Sequence, residues 1–404
     1  MKIQTLKQAE QLLQEYCLCD SCLGRLFRKD IKEGNNSEKG KTIKKQLHFK
    51  KKIITSDCWL CEGLIDEIPH FIDIITRMLE DYEFETFLIG SKIDEDIKER
   101  EQHLWKELQL QDAEPIKMEI NREIGKVLEP RLRKTVDIAN PDIMAVIDTL
   151  YDYVTLQIRS LFIYGRYRKL QRGFPQTKWP CQVCLGKGCK KCNYTGSLYE
   201  TTVEELIASK ALELTKGTDE SFHGSGREDI DALMLGSGRP FILEIKNPKK
   251  RTIDLNVFEK KTNMTFKNKL EILSLRFSSR EEIARIKAAE FRKTYRVTLE
   301  AAQPLNKEKL IKVAQALQGK LIKQLTPTRV AHRRANKVRE RIIYNCTIES
   351  VEGFIARLTL ETESGTYIKE FISGDDEKTQ PSLSELIGIP CKVKDLDVID
   401  VKGE

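Results

Sequence analysis

Apolar residues at Ile3, Leu6, Ala9, Leu12, Leu13 and Tyr16 recur at three-and-four spacing, which predicts an amphipathic helix over residues 3–16. That helix delivers the chain into a cysteine pair. Further along, the pattern predicts a helix around Ile68–Asp81, a short strand Glu85–Ile89 and a charged helix near Asp94–Leu110. Asn140 and Pro141 read as the cap and first turn of another helix, with Ile143, Val146, Ile147, Leu150, Val154 and Ile158 along one face until Gly165. Together these form an α+β segment of ordinary domain size, and its apolar stripes are core.

Glycine and two prolines in Gln171–Pro180 break any helix and read as a linker. Beyond residue 200 strands dominate: Pro240–Lys246, Thr294–Ala301, Arg341–Ser350, Phe354–Thr362 and Val393–Val401. Ser278 and Glu281 read as a capping box for a helix through Phe291, and a second helix over Pro304–Leu317 stops before Gly319. Adjacent strands with irregularly interposed helices predict an α+β fold with a mixed, largely antiparallel sheet. The resulting division is 1–62, 63–172, 173–199 and 200–404, with a boundary near 200.

At 404 residues, 40% hydrophobic and 32% charged, the chain has length for two or three cores. No stretch approaches the roughly 18 apolar residues of a membrane span, and the N-terminus lacks a signal-peptide core, so the expected location is cytoplasmic. Eight of eleven cysteines lie in C-x-x-C corners: Cys19 with Cys22, Cys58 with Cys61, Cys181 with Cys184, and Cys189 with Cys192. In a reducing compartment, two such quartets favour metal over disulfides, and four thiolates suit a structural Zn²⁺ with no open position for catalysis. Redox work is the competing reading, but no thioredoxin-like βαβ pattern surrounds either pair.

The net charge of +7 is bunched into three basic runs. Arg166–Lys191 carries Arg166, Arg168, Lys169, Arg172, Lys178, Lys187, Lys190 and Lys191 with Tyr167, Phe174 and Trp179 between them. Lys246, Lys249, Lys250 and Arg251 form the second. Lys320–Arg341, with Lys323, Arg329, Arg333, Arg334, Lys337 and Arg339 against Glu340, forms the third. Three such runs, one beside a cysteine knuckle, point to a phosphate-rich partner and foremost to nucleic acid.

Small and charged residues concentrate in His223–Pro240, where Arg227–Asp231 places one guanidinium and three carboxylates between glycines. The loop is either a surface hairpin or a device for presenting a carboxylate. A dinucleotide fingerprint fails for want of a third glycine and a following helix, and the acids miss the alternation of a Ca²⁺ loop.

Gly226-Arg-Glu-Asp229, with the following Ile-Asp-Ala-Leu-Met-Leu-Gly-Ser-Gly-Arg-Pro-Phe241, resembles the catalytic motif of the archaeal and eukaryal THUMP-containing T-loop tRNA pseudouridine synthases. Lys293-Thr-Tyr295-Arg and Gly365-Thr-Tyr367-Ile-Lys369 are similar to the family's two tyrosine motifs. Thr326-Pro-Thr-Arg-Val-Ala-His332-Arg-Arg334-Ala, Phe371-Ile-Ser-Gly-Asp375 and Gln380-Pro-Ser-Leu-Ser384 resemble it too, as do the cysteine quartets and Thr177-Lys-Trp-Pro180. Ala232-Leu233 departs from it, standing where the family often has Val-Arg.

The resemblance implies an N-terminal zinc-binding, THUMP-like RNA-binding module (1–62 with 63–172), a four-cysteine zinc knuckle (173–199) and a pseudouridine synthase domain (200–404). It further implies isomerisation of uridines at tRNA positions fifty-four and/or fifty-five. Asp229 becomes the catalytic carboxylate, acting by covalent addition or by sugar-proton abstraction. An ionised carboxylate in a dry pocket needs a cation, and Lys369, expected on one strand face with Tyr367, supplies it. Tyr295 stacks on the extruded base beside Tyr367, and Arg227 fills the vacated space or holds the adjacent phosphate. Asp231 is the alternative nucleophile. His223 and His332 read as solvated or RNA-contacting. Two structural Zn²⁺ and no organic cofactor are expected, with tRNA recognised through its T-loop and elbow and no obligatory protein partner. Two alternatives remain: a non-catalytic zinc-containing tRNA-binding adaptor, and another THUMP-type enzyme, whose methyltransferase or thiouridine-synthetase signatures are missing.

Overall fold

The computed structural model describes residues 3–333 and 335–403; Arg334 of the third basic run and the side chains of His332 and Arg333 lie outside that description. The chain divides into two compact units, one running to Arg159 with Asn247–Arg251, the other comprising Ser160–Lys246 and Thr252–Glu404.

In the first unit, the helix Ile3–Glu15 leads to the short helix Asp20–Leu26, and Ala9, Leu12 and Leu13 join Cys19, Cys22, Cys58 and Cys61 in one buried core. A four-stranded sheet follows, ordered β2-β1-β3-β4, from β1 (Thr86–Lys92), β2 (Thr135–Val136), β3 (Ile143–Asp148) and β4 (Tyr153–Ile158). The expected helix over 140–165 is therefore a hairpin and the start of another strand. Its apolar residues fit both periods, but Ile143, Ala145 and Ile147 are buried in alternation, and β-branched side chains pack well on a pleated surface. Between β1 and β2, a helix over Ile116–Leu132 escaped the reading although Ile116, Ile120, Ile124 and Leu128 line its buried face at four-residue spacing. The charged residues between them masked that stripe.

The second unit is built on ten strands. These are β5 (Leu161–Lys169), β6 (Asp219–Gly224), β7 (Leu233–Lys246), β8 (Leu270–Ser278), β9 (Lys293–Ala301), β10 (Lys320–Gln324), β11 (Arg339–Glu352), β12 (Ile355–Thr362), β13 (Thr379–Gln380) and β14 (Cys391–Val401). The order is β13-β10-β11-β12-β9-β14-β7-β5-β8, with β6 also on β7. Only the β14–β7 pairing is parallel, so the sheet is mixed and largely antiparallel, as the sequence predicts.

Three expectations change here. Residues 160–172 belong to this unit, because β5 is buried along nearly its whole length between β7 and β8. The supposed linker at 171–180 packs against the unit, with Phe174 and Gln176 each only 7% exposed. The Ser278 capping box does not form: the helix Glu281–Ala288 has Arg280 at its N-cap, and Ser278, closing β8, instead donates to Glu282. The helix expected over Pro304–Leu317 spans Lys307–Ala316, capped by Asn306. Among the described residues, no helix is long and apolar enough to cross a membrane.

Candidate active site

The loop between β6 and β7 is held from beneath by a buried polar network. The Arg239 guanidinium, 1% exposed, donates to the Glu228 carboxylate at 2.9 Å and to the Ser225 carbonyl at 2.9 Å. Tyr167 donates its hydroxyl to Glu228 at 2.8 Å, and Gln176 donates to Tyr167 at 2.7 Å and to the Gly226 carbonyl at 2.9 Å. Burial, with the Glu228 charge added, pushes the Tyr167 phenol up, so it stays a donor. Lys169, fully buried, donates to the carbonyls of Asp229 (3.3 Å) and Ile230 (2.9 Å). Backbone and side chains thus fix the Asp229 main chain before any substrate arrives.

Above that network lies a cavity of about 640 Å³ lined by Asp229, Arg227, Lys369, Tyr295 and Tyr367 among others. The five residues singled out from the sequence therefore converge. Lys369 Nζ sits 3.4 Å from the Asp229 carboxylate, but not on a strand. Tyr367 instead caps the helix Ile368–Ser373, because Gly365, at φ +80°, turns the chain after β12 and ends the extended run. Gln324 fixes that cap, accepting from the Tyr367 N–H and donating to its carbonyl, both at 2.9 Å.

A second cation escaped the sequence reading. Arg329 approaches Asp229 at 3.3 Å while its Nε donates to Glu370 at 2.6 Å. Its sequence signals were membership of the third basic run and a place in the Thr326–Ala335 segment that resembles the family, neither of which pointed to Asp229. Glu370 anchors the guanidinium, leaving one edge for Asp229. Burial opposes ionisation of Asp231, but the hydrogen bond from Lys369 at 2.9 Å holds its carboxyl below the ordinary value. Asp231 is 68% exposed and lines only a smaller adjoining hollow, whereas the Asp229 side chain is 29% exposed.

Tyr295 is 9% exposed, and burial raises its phenol to about 12, so it faces the cavity neutral. Lys293, two residues earlier on β9, is 8% exposed, with its ammonium lowered to about 8 by burial and by Arg239. Arg227 lies over the Trp179 ring at 5.3 Å, and Trp179 meets Tyr199 edge-on at 5.7 Å, at the foot of the cysteine knuckle. His223 is paired with Glu244 at 3.2 Å and does not line the cavity.

The basic runs divide by role. Arg166 donates to the carbonyls of Ser237, Gly238, Val401 and Gly403 and is structural, as is Lys169. Lys246, Lys249 and Arg251 pair with Asp219, Asp81 and Asp142. Arg329, Arg339 and Arg341 of the third run line the cavity.

In each cysteine quartet all four Sγ atoms lie within 4.8 Å of one another. The pairs Cys19–Cys61, Cys184–Cys192 and Cys189–Cys192 stand at 3.9, 3.8 and 3.8 Å. Those separations exclude disulfides and match the edge, about 3.8 Å, of a tetrahedron with metal–sulfur bonds near 2.3 Å. Backbone N–H groups of Gly188, Cys189 and Gly196 donate to sulfurs of the knuckle at 3.2–3.3 Å, as thiolates require. Both quartets fit a metal ion.

The profile of the Pus10 C-terminal domain matches residues 162–402, and that of the archaeal Pus10 THUMP domain matches 71–148. The chain is 39% identical to a tRNA pseudouridine synthase Pus10 of Methanothrix thermoacetophila, over 98% of this chain and 94% of that one. The chain belongs to the Pus10 family of tRNA pseudouridine synthases. A Pus10 of Methanocaldococcus jannaschii is 40% identical over 97% of this chain and 93% of its own. The Pus10 C-terminal match begins within two residues of the division at Ser160, which agrees with β5 belonging to the second unit. Among solved structures, a chain of a Cbf5-Nop10-Gar1 complex aligns with a TM-score of 0.32 and 15% identity, over 50% of this chain and 45% of that one; at that distance it adds nothing to the assignment.

Proposed function

We propose that this Pus10 protein isomerises uridine to pseudouridine in the T-loop of tRNA, with Asp229 as the reacting carboxylate. One observation carries the reading: Asp229 is the carboxylate that stands between two cations, Lys369 and Arg329, in a cavity walled by Tyr295 and Tyr367. Two cations within ion-pairing distance complement the anion required either for covalent addition or for removing a sugar proton. A buried neutral tyrosine offers the face on which an extruded uracil stacks, worth roughly 1–3 kcal/mol per base. The remaining cavity arginines face the sugar–phosphate chain, and Arg227, seated on Trp179, takes the space the base leaves. The residues 71–148, matching a THUMP profile, serve to hold the tRNA.

The isomerisation breaks the N1–C1′ bond and forms C5–C1′, C5 giving its hydrogen to water while N1 takes up a proton, with no net redox change; tritium should therefore appear in water when the protein meets unmodified [5-³H]uridine tRNA without added cofactor. Mapping the product should place pseudouridine at one or both adjacent T-loop positions. Absence of release, or modification confined to another arm, sinks the proposal.

The quartets are assigned as structural zinc sites. Metal analysis of protein purified without chelator should give about two zinc per chain. Chelator should strip the knuckle first, because Cys184, Cys189 and Cys192 are half-buried whereas Cys19, Cys22, Cys58 and Cys61 are all buried. Fewer than about one zinc per chain would undo the assignment.

A further inference from the structure

In the same cavity, Lys293 has no acid to match it among the described residues, and the Arg341 guanidinium is matched only in part. Lys293 Nζ has Ser364 Oγ at 3.2 Å as its hydrogen-bond partner and, among the described residues, no carboxylate within ion-pairing distance. Across the sheet Lys293 pairs with Thr362, and Thr362 pairs with Ile343, so Arg341, two residues from Ile343, projects from the same face as Lys293. Arg341 Nε is buried and unpartnered, although another nitrogen of the same guanidinium lies 3.6 Å from Glu363. Two glycines open the corner. A Cβ on Gly226 would stand 3.6 Å from Lys293 Nζ, and one on Gly365 3.4 Å from an Arg341 nitrogen; both residues have positive φ.

We infer that Lys293, Arg341 and the Ser364 hydroxyl form a subsite for one phosphodiester of the RNA strand beside the extruded uridine. The inference rests on the proposed substrate but not on which residue performs the chemistry. An ammonium kept from water beside Arg239 is costly without a counter-charge, and an arriving phosphate provides one. A hydroxyl, an ammonium and a guanidinium edge around a gap left by missing Cβ atoms match a tetrahedral anion with several acceptor oxygens. A uracil carbonyl would need one donor and would leave Lys293 without a counter-charge and the buried Arg341 Nε without a partner.

The test measures binding to a T-arm stem-loop whose T-loop uridines are already pseudouridine, so that no turnover intervenes and the identity of the nucleophile does not enter. Lys293→Met should weaken this binding about tenfold and lower the slope of log affinity against log salt by about one, with Lys293→Arg restoring both. Lys293→Gln, which keeps a polar end in the buried position, replaces the methionine variant if that one does not fold. In the wild-type protein, a neutral methylphosphonate at one T-loop linkage should cause the same loss, and it should cause none in the lysine variant. Unchanged affinity and salt slope with a reduced single-turnover rate would move Lys293 to the base and overturn the subsite. So would the failure of every single linkage to couple with Lys293. Loss of tritium release with the binding results intact would instead count against the catalytic reading alone.

Discussion

Asp229→Asn should lower tritium release from tRNA by at least about 10³-fold while leaving the protein folded and able to bind RNA. The amide occupies the same volume and can still accept from Arg329 and Lys369, now 3.3 and 3.4 Å from the carboxylate. Arg329 keeps its 2.6 Å bond to Glu370, so neither cation loses its anchor: Lys369 retains Asp231. Removing one negative charge from a cavity lined by Lys293, Arg329, Arg339, Arg341 and Lys369 should tighten the hold on a polyanion. The signature is therefore a collapsed rate with unchanged or improved binding. Asp231→Asn provides the contrast. That carboxylate is 68% exposed and paired only at the surface, where an ion pair contributes about 0–1 kcal/mol, so its release rate should stay within a few-fold of wild type. If Asp231→Asn were the silent enzyme and Asp229→Asn the active one, the assignment would reverse.

Much of this site was legible because its chemistry is concentrated in short motifs. Gly226–Asp229, Lys293–Tyr295 and Gly365–Lys369 each place their key residues within a few positions, and the fold has only to bring three segments together. Cysteine corners were legible for the same reason: a C-x-x-C motif brings two sulfurs together locally. What the sequence hid was dependence on distant partners. Arg329 acquires its role only because Glu370, forty-one residues later, turns it toward Asp229. Lys169 looks like one more charge in a basic run until β5 is seen between β7 and β8, where its ammonium reaches the Asp229 and Ile230 carbonyls and lies over the Phe174 ring. The β3–β4 hairpin was misread because Ile143, Ile147, Val154 and Ile158 satisfy both helical and alternating patterns, and only pairing with β1 decides between them. Lys369 shows the opposite case, a neighbour of Asp229 reached by a different local structure: the first turn of the helix that starts after Tyr367 carries its ammonium to Asp229 as well as a strand would have done.

Arg239→Met should have the largest effect on stability, since it removes the guanidinium that neutralises Glu228 where both side chains are at most 1% exposed. Breaking a buried pair by deleting one partner costs about 3–5 kcal/mol, because the remaining charge must be desolvated alone or take up a proton. Here Tyr167 still donates at 2.8 Å, but it is neutral and Glu228 loses the stronger, charged donor. The Ser225 carbonyl loses its bond from Arg239 in the same step, so the loop carrying Asp229 should loosen as well as the core weaken. Denaturant unfolding followed by a probe in the second unit should report the loss, and tritium release should fall even at temperatures where the variant remains folded. A double variant, Arg239→Met with Glu228→Leu, removes both charges and should recover part of the stability, but not the activity, because the loop then loses its ties at Ser225 and Glu228 and keeps those from Gln176 and Lys169. Recovery of full turnover in the double variant would show that the buried pair serves the fold alone and that Lys169 and Gln176 suffice to position Asp229.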